Sequence, residues 1–369
     1  MRVAAILSLG SSTKHLNPFV RNSDAVWQLG LPSNPGDADA ILIFGGDGTV
    51  HRHLPQLVKL QLPVLVVPHG SGNDLARALK LRHVDDALAA WRQFASCQRH
   101  GEAPGENPGG GPDEKDEKSV RRIDLGVISA LSSFGGPAAA NVPEPHGRYF
   151  CCVGGVGLDA EVARRANQLP RALRRRGGYL LSLLPALSGF QPVAVKVQAS
   201  RNDPASGLDT RHDGPAMVVA FANTPAYGGG ILIAPQARLD DGKLEICVVE
   251  AMAKPRLLRL FPSVYSGRHL NLPEVKYFQA DRLRIETEKP SQVYADGEYI
   301  CSTPVEVTVE RAALKVIVPA SWAGGYSPAS QSKEPLLRPL LKKASPLHSG
   351  KPRPKKADAK SALFFISSR

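Results

Sequence analysis

The sequence contains no Gly-x-x-x-x-Gly-Lys-Ser/Thr loop, so any nucleotide phosphate has to be held without the lysine of that motif. Cys-x-x-Cys spacing is also missing. The five cysteines, Cys97, Cys151, Cys152, Cys247 and Cys301, are odd in number and mostly lie in apolar, strand-like runs. That pattern argues against a disulfide framework or a zinc site and reads as buried free thiols of a reducing compartment. No apolar run reaches the roughly 18 residues of a membrane-spanning helix. The run Gly154-Gly155-Val156-Gly157 fails the Gly-x-Gly-x-x-Gly pattern, which argues against a dinucleotide fingerprint. No internal repeat is evident. Met1 to Leu7 is too short for a signal peptide and reads as a first strand.

What is present is enough chain for two domains: 369 residues, 43% of them hydrophobic. The net charge is +12, which favours an anionic partner. The charge is uneven, however. From Ser327 onward ten Lys/Arg stand against two acidic residues, so most of the excess sits in the last stretch. The folded body is only mildly basic, and no nucleic-acid partner is expected. Beyond Trp322 the chain is Pro/Ser/Lys-rich and reads as a disordered basic tail, 327–369. Its Lys351-Pro352-Arg353-Pro354-Lys355-Lys356 cluster would be drawn to anionic lipid heads. A plain solubilising tail is the alternative.

The pivotal stretch is Ala40-Ile41-Leu42-Ile43-Phe44, followed by Gly45-Gly46-Asp47-Gly48-Thr49. Five apolar residues bounded by glycine predict a strand buried on both faces. Helical spacing over Val50 to Leu60 follows, with an interruption expected at Pro55. The loop therefore stands at a strand end and a helix start. Glycines there leave N–H groups free for an anionic phosphate. A second strand, Pro63 to Pro68, leads into His69-Gly70-Ser71-Gly72-Asn73-Asp74 and a helix from Leu75 to Leu79. Two such strand-end loops about 20 residues apart would face one crevice. Gly10 to Thr13, after a strand over Val3 to Leu9, is a third candidate loop or simply a helix cap.

The rest of the pattern places a weak helix over Val20 to Leu29, a helix over Val84 to Phe94, and a strand over Arg121 to Ile128. Strands alternating with helices predict a parallel doubly wound sheet at the start. Gly101 to Ser119 is Gly/Pro/acidic and reads as a flexible insertion, with Ser129 to Gly147 a further lengthening. Later come short strands at 193–199, 216–223, 243–250, 282–287, 293–295 and 305–309, with helices over Ala160 to Ala166 and Leu257 to Tyr265. These predict a β-rich antiparallel second domain. Gly178 to Phe190 is apolar and follows four arginines in Arg171 to Arg176; core packing is the default reading, lipid contact the alternative.

Taken together, the motifs resemble the diacylglycerol kinase catalytic-domain family of lipid kinases. The resemblance rests on Gly45 to Thr49, Pro68 to Asp74, Arg122 to Gly126 and Gly154 to Ala160. It extends through Gly228 to Pro235, running into Asp240 to Leu244, and ends at Ala295 to Glu298. It covers roughly residues 1 to 322. The fold it implies is a Rossmann-like α/β domain, related to those of phosphofructokinase and NAD kinase, over 1–127. A β-rich lipid-substrate domain would occupy 128–310, with a last strand at 313–318 returning to the first. The implied reaction is ATP- and Mg²⁺-dependent phosphorylation of a hydroxyl on diacylglycerol or a related lipid.

On that resemblance, Gly45, Gly46, Asp47, Gly48, Thr49, Gly70, Ser71, Asn73 and Asp74 would bind ATP. Asp241, with the main-chain carbonyls of Arg238 and Lys243, would hold a structural Mg²⁺; read alone, the same Asp-Gly is a hairpin turn. Asp47 and Asp124 would hold the nucleotide's Mg²⁺, directly or through water; a structural role is the alternative for both. Asp296 or Glu298 would accept the proton of the lipid hydroxyl as it attacks the γ-phosphorus, and which of them faces the substrate stays open. The implied setting is cytoplasmic, peripheral at the inner membrane face on an anionic surface; a homodimer stays open. The competing readings are a sphingoid-base kinase, a NAD kinase-like enzyme and a non-catalytic lipid or nucleotide binder. The chain departs from the family pattern at His51 and Arg52, where an Asn-Glu or similar pair is usual, and in its short start before the central strand.

Overall fold

Ala40–Gly45 (β3) is buried at every position, and it anchors a parallel sheet. The computed structural model describes residues 1–99, 119–131, 147–170, 173, 178–200, 207–228 and 230–322. The expected insertion at 101–119, Ser119 apart, and the expected tail at 327–369 lie outside the described residues, as does most of the arginine run at 171–176. Everything below concerns the compact unit Met1–Tyr326.

The first part alternates strands and helices. Arg2–Leu7 (β1), Thr13–Val20 (α1), Val26–Leu29 (β2), β3, Asp47–Leu60 (α2), Val64–Pro68 (β4), Asp74–Ala78 (α3) and Val84–Arg99 (α4) follow in order. The strands run parallel in the order β4-β3-β1-β2, with Ile43 beside Ile6 and Val66. The helix expected at 20–29 is a correction: that segment holds the end of α1 and an edge strand. Ser12 and His15 cap α1 earlier, through the Ser12 N–H donating to His15 Nδ1 at 2.9 Å. Among the described residues β2 pairs only with β1, and its Val26 and Leu29 are exposed, so no alternation marks it in sequence. α2 also differs from expectation, since it begins at Asp47 and passes through Pro55 without a break.

The second part is antiparallel. It comprises Val120–Ala130 (β5), Arg148–Phe150 (β6), Val153–Gly157 (β7), Leu158–Gln168 (α5), Gly178–Gly189 (α6), Val193–Ser200 (β8), Leu208–Ala222 (β9), Leu244–Glu250 (β10), Lys254–Leu260 (α7), Val275–Ala280 (β11), Arg282–Thr287 (β12), Gln292–Ala295 (β13), Glu298–Ser302 (β14) and Val305–Ile317 (β15). The helix expected over Leu257 to Tyr265 starts earlier, at Lys254, and ends as a 3-10 helix over Phe261–Ser266. The segments expected as 305–309 and 313–318 form one strand, β15, with a register shift between Glu310 and Leu314. Val316 then pairs with Val64 of β4 in parallel, so one hydrogen-bonded sheet joins both parts.

The glycine run at 154–157 is strand β7. Its glycines make room: a Cβ on Gly154 would strike the Phe221 ring, and one on Gly155 would fall 3.0 Å from the Val219 carbonyl. Two apolar clusters result. One gathers β1, β3, β4 and their helices around Phe44, Trp91 and Leu65. The other fills the antiparallel part around Phe150, Phe221 and Ile285.

Candidate active site

The site begins where β3 and β4 end side by side. Gly45 pairs with Pro68, and the His69 N–H donates to the Gly45 carbonyl at 3.0 Å. The two loops then touch through their backbones, since a Cβ on Gly46 would fall 2.7 Å from the Gly70 Cα. Only glycine at both positions permits that approach. Gly46 caps α2 with extended backbone and accepts from the Thr49 and Val50 N–H groups at 2.9 and 3.2 Å. The first N–H groups of this 14-residue helix have no intrahelical acceptor, which makes its start an anion-binding end. The Gly10–Thr13 loop reaches the same edge, because the Ser11 hydroxyl donates to the Phe44 carbonyl at 3.0 Å.

Each expected nucleotide residue has a distinct local role. The Thr49 side chain fills the space beside Gly45. Asn73, in left-handed conformation at φ 56°, accepts from the Gly70 N–H at 2.7 Å and donates back to the Gly70 carbonyl at 3.0 Å. It therefore shapes the second loop rather than reaching out of it. Asp74 is buried and paired with Arg77 at 3.3 Å, while Ser71 is exposed at the loop tip. Asp47 Oδ1 accepts the Leu75 N–H at 3.0 Å. Burial pushes the Asp47 carboxyl upward, the Asp74 and Leu75 amides pull it back, and the nearby Asp296 charge adds to the rise.

Opposite this edge stands the β13–β14 hairpin. Asp296 and Gly297 form its two-residue turn, both left-handed at φ 51° and 82°. The Asp296 carboxylate is fully buried. Its Oδ1 accepts the Cys152 N–H at 2.8 Å, and its Oδ2 accepts the Cys151 N–H at 2.8 Å and contacts His51 Nδ1 at 2.9 Å. Glu298 is exposed instead, and its Oε1 lies 3.4 Å from where a Cβ on Gly48 would be. The structure thus brings Asp296, Glu298, Asp47 and the loop Gly45–Thr49 together.

Asp124 belongs elsewhere. Its Oδ2 accepts the Gly242 N–H at 2.6 Å and its Oδ1 the Ala312 N–H at 2.7 Å. The Asp124 N–H donates to the Leu239 carbonyl at 2.6 Å, so β5 sets Asp124 against the Asp240-Asp241-Gly242 turn. Among the described contacts none joins it to Asp47; Asp124 and Asp241 form a pair of neighbouring carboxylates. Asp241 Oδ1 accepts the Lys243 N–H at 3.1 Å, and Arg238 pairs with Asp240 at 3.2 Å. Burial raises the Asp241 carboxyl, and the Asp124 and Asp240 charges add to it. Such a crowd of carboxylates suits a hard divalent cation bound through oxygen.

Four residues that no sequence motif marks take part: His51, Cys151, Cys152 and Asn223. His51 stands four residues after Asp47 on α2, on the same helix face. The amides of Cys151 and Cys152 carry no sequence signal at all. Neither does buried Asn223, which donates to the Asp124 and Cys151 carbonyls at 2.8 and 3.2 Å and so ties the two carboxylate clusters together.

Comparison with known proteins agrees with this layout. The sequence-family model for the diacylglycerol kinase catalytic domain matches residues 26–101. The model for the YegS C-terminal NAD kinase beta sandwich-like domain matches residues 153–318. A diacylglycerol kinase of Mycobacterium tuberculosis (strain ATCC 25618 / H37Rv) is 30% identical over 281 residues, which is 76% of this chain and 77% of that protein. A diacylglycerol kinase of Bacillus subtilis (strain 168) is 23% identical over 287 residues, 77% of this chain and 79% of its own. The crystal structure of a diacylglycerol kinase from Bacillus anthracis str. Sterne shares the fold, with a TM-score of 0.57 at 21% identity, covering 89% of this chain and 97% of that one.

Proposed function

The chain belongs to the diacylglycerol kinase catalytic-domain family of lipid kinases, and from that premise we propose that it transfers the γ-phosphoryl group of ATP, with Mg²⁺, to a hydroxyl of diacylglycerol. The observation that carries this reading is Glu298 standing over Gly48, at the free N–H end of α2. A proton acceptor and a phosphate cradle thereby face each other from the two parts of the chain.

The residues divide the work. The Gly46 and Gly70 loops and the start of α2 hold the nucleotide phosphates through N–H groups. Glu298 takes the proton of the acceptor hydroxyl as its oxygen attacks the γ-phosphorus. Asp296 fixes the turn that presents Glu298. Asp47, Asp296 and Glu298 put several negative charges beside a polyanionic nucleotide, an arrangement that calls for a counter-cation. Asp47 is the residue of this loop placed to hold one, and Mg²⁺ bound there with the nucleotide would neutralise charge on the transferring phosphoryl oxygens. Asp241, with the Arg238 and Lys243 carbonyls, is the second position suited to Mg²⁺, in a structural role.

The acceptor is a membrane lipid, so the protein works as a peripheral enzyme on an anionic surface at the inner membrane face. Among the described residues no helix is long and apolar enough to cross a membrane. Leu181 and Leu184 on α6 are 53% and 61% exposed, one helical turn apart. The Lys254 ammonium of α7 donates to the Ser188 carbonyl of α6 at 2.8 Å, placing basic α7 beside that apolar face. Apolar side chains flanked by cations suit an anionic lipid interface. The test is direct: the purified protein with labelled ATP, Mg²⁺ and, in separate arms, NAD or vesicles carrying diacylglycerol, a sphingoid base or neither. Label in the diacylglycerol product is expected. Nucleotide binding with no label in any lipid would sink the kinase reading, and label in NAD would replace it.

A further inference from the structure

The first glycine loop runs into α2 through Val50, His51 and Arg52. Arg52 is exposed, but His51 turns inward and is only 15% exposed. Its Nδ1 meets Asp296 Oδ2 at 2.9 Å across 245 residues of chain. The other donors to that carboxylate, the Cys151 and Cys152 amides, come from the bend after β6, beside β13 itself. Among the donors described, His51 is the one that comes from the nucleotide-binding part.

We propose that His51 is the positioning residue of the proton-accepting hairpin: its Nδ1–H donates to Asp296, ties the Asp296-Gly297 turn to α2, and so holds Glu298 over Gly48. This rests on Glu298 acting as the proton acceptor. The need for such a tie follows from the hairpin itself. Its turn is a pair of left-handed residues, Gly297 is exposed, and Glu298 is the exposed first residue of β14. Asn167 of α5 donates to the Gly297 carbonyl at 2.6 Å and the Asp296 N–H to the Val153 carbonyl at 3.0 Å, but both anchors belong to the antiparallel part and do not set Glu298 relative to α2. A misplacement of about 1 Å at a reacting group costs on the order of 100-fold in rate.

The charged surroundings favour the donor form. Asp296 and Glu298 face the imidazole from the hairpin and Arg148 from β6, while the Cys151 thiol lies 3.4 Å from the same Asp296 oxygen. Burial pulls the imidazole's affinity for a proton down, but the Asp296 hydrogen bond and the two carboxylate charges outweigh both burial and Arg148. His51 is thus held above the usual histidine range. As pH rises through that raised value the imidazolium is lost and the tie weakens, so turnover falls on the alkaline side.

The experiment compares His51→Leu and His51→Asn, since an asparagine amide occupies the Nδ1 position as a donor that does not titrate. His51→Leu is expected to lower kcat about 100-fold with the KM for ATP within about threefold. His51→Asn is expected to recover at least about tenfold of that loss and to lack the alkaline fall. Near-normal kcat in His51→Leu, or equal losses in the two variants, would overturn the proposal. The imidazole resonance followed by NMR reads the tie without turnover: it should titrate above ordinary histidine and move down in Asp296→Asn or, if that variant does not fold, in Glu298→Gln. A resonance indifferent to both changes overturns the tie. If the ring titrates as stated while wild type phosphorylates no lipid, the tie stands and the kinase reading falls.

Discussion

Gly46 and Gly70 meet backbone to backbone, with the Gly70 Cα 2.7 Å from where a Gly46 Cβ would be. The nearest obstacle to a methyl group on either is main chain, which no side-chain rotation moves aside. Gly46→Ala or Gly70→Ala should therefore force the two loops apart. The expected result is a loss of about 1–3 kcal/mol of stability by chemical denaturation. ATP affinity by calorimetry should fall by at least about tenfold, or about 1.4 kcal/mol. Gly48→Ala is the contrast, since its Cβ would meet only the Glu298 side chain at 3.4 Å. That variant should melt like wild type; equal damage from all three would mean that loop contact is not what the glycines serve.

Asp296 and Glu298 differ in what their loss removes. Glu298 is exposed, so Glu298→Gln should reduce turnover by at least about 100-fold while leaving stability unchanged. Asp296 is buried with two backbone N–H donors and His51, so Asp296→Asn should cost both turnover and about 1–3 kcal/mol of stability. Denaturation curves and single-turnover rates separate the two. Full activity in Glu298→Gln would remove it from the reaction.

The parts legible in the sequence were those with local causes. The Ala40–Gly45 strand and the Asp296-Gly297 turn each follow from a run of apolar residues or a residue tolerant of positive φ, and each stands where expected, whereas the glycine loop is shorter because α2 begins at Asp47. What was not legible depends on distant partners. Val26–Leu29 is a strand only because β1 offers it an edge. The glycines of β7 answer to Phe221 and the β9 backbone. Asp124 could be placed beside Asp241 only once β5, β15 and the Leu239 carbonyl had been brought together. The Asp296 ligation by consecutive main-chain amides leaves no trace in side-chain identity.

Asp159 carries a pH signature of its own. Burial raises its carboxyl from 3.8 to about 6, and the Tyr227 hydroxyl, donating at 2.6 Å, offsets only part of this. The folded protein binds this proton more tightly than the unfolded chain. The stability it contributes is therefore full below the unfolded value and is lost as pH rises through about 6. Wild type should lose up to about 3 kcal/mol between acid and mildly alkaline pH that Asp159→Asn does not lose. Parallel stability–pH curves for the two proteins would contradict this.

Asp241 is the place where a divalent cation should act on the fold rather than on the nucleotide. Its carboxyl is raised first by burial and then by the neighbouring Asp124 and Asp240 charges, against the help of the Lys243 amide and Arg238. A cation bound to Asp241 would reverse the sign of that local field, and any ligand that binds only the folded state raises its stability. Without nucleotide, Mg²⁺ at about 100 times its dissociation constant should stabilise wild type by about 2.7 kcal/mol relative to chelator, read as a rise in melting temperature. Asp241→Asn should abolish that rise. Asp240→Asn, which removes only the part-exposed pair with Arg238, should keep it. A Mg²⁺ response that survives in Asp241→Asn would place the stabilising cation elsewhere, and the Asp124–Asp241 pair would then be held by its backbone N–H donors alone.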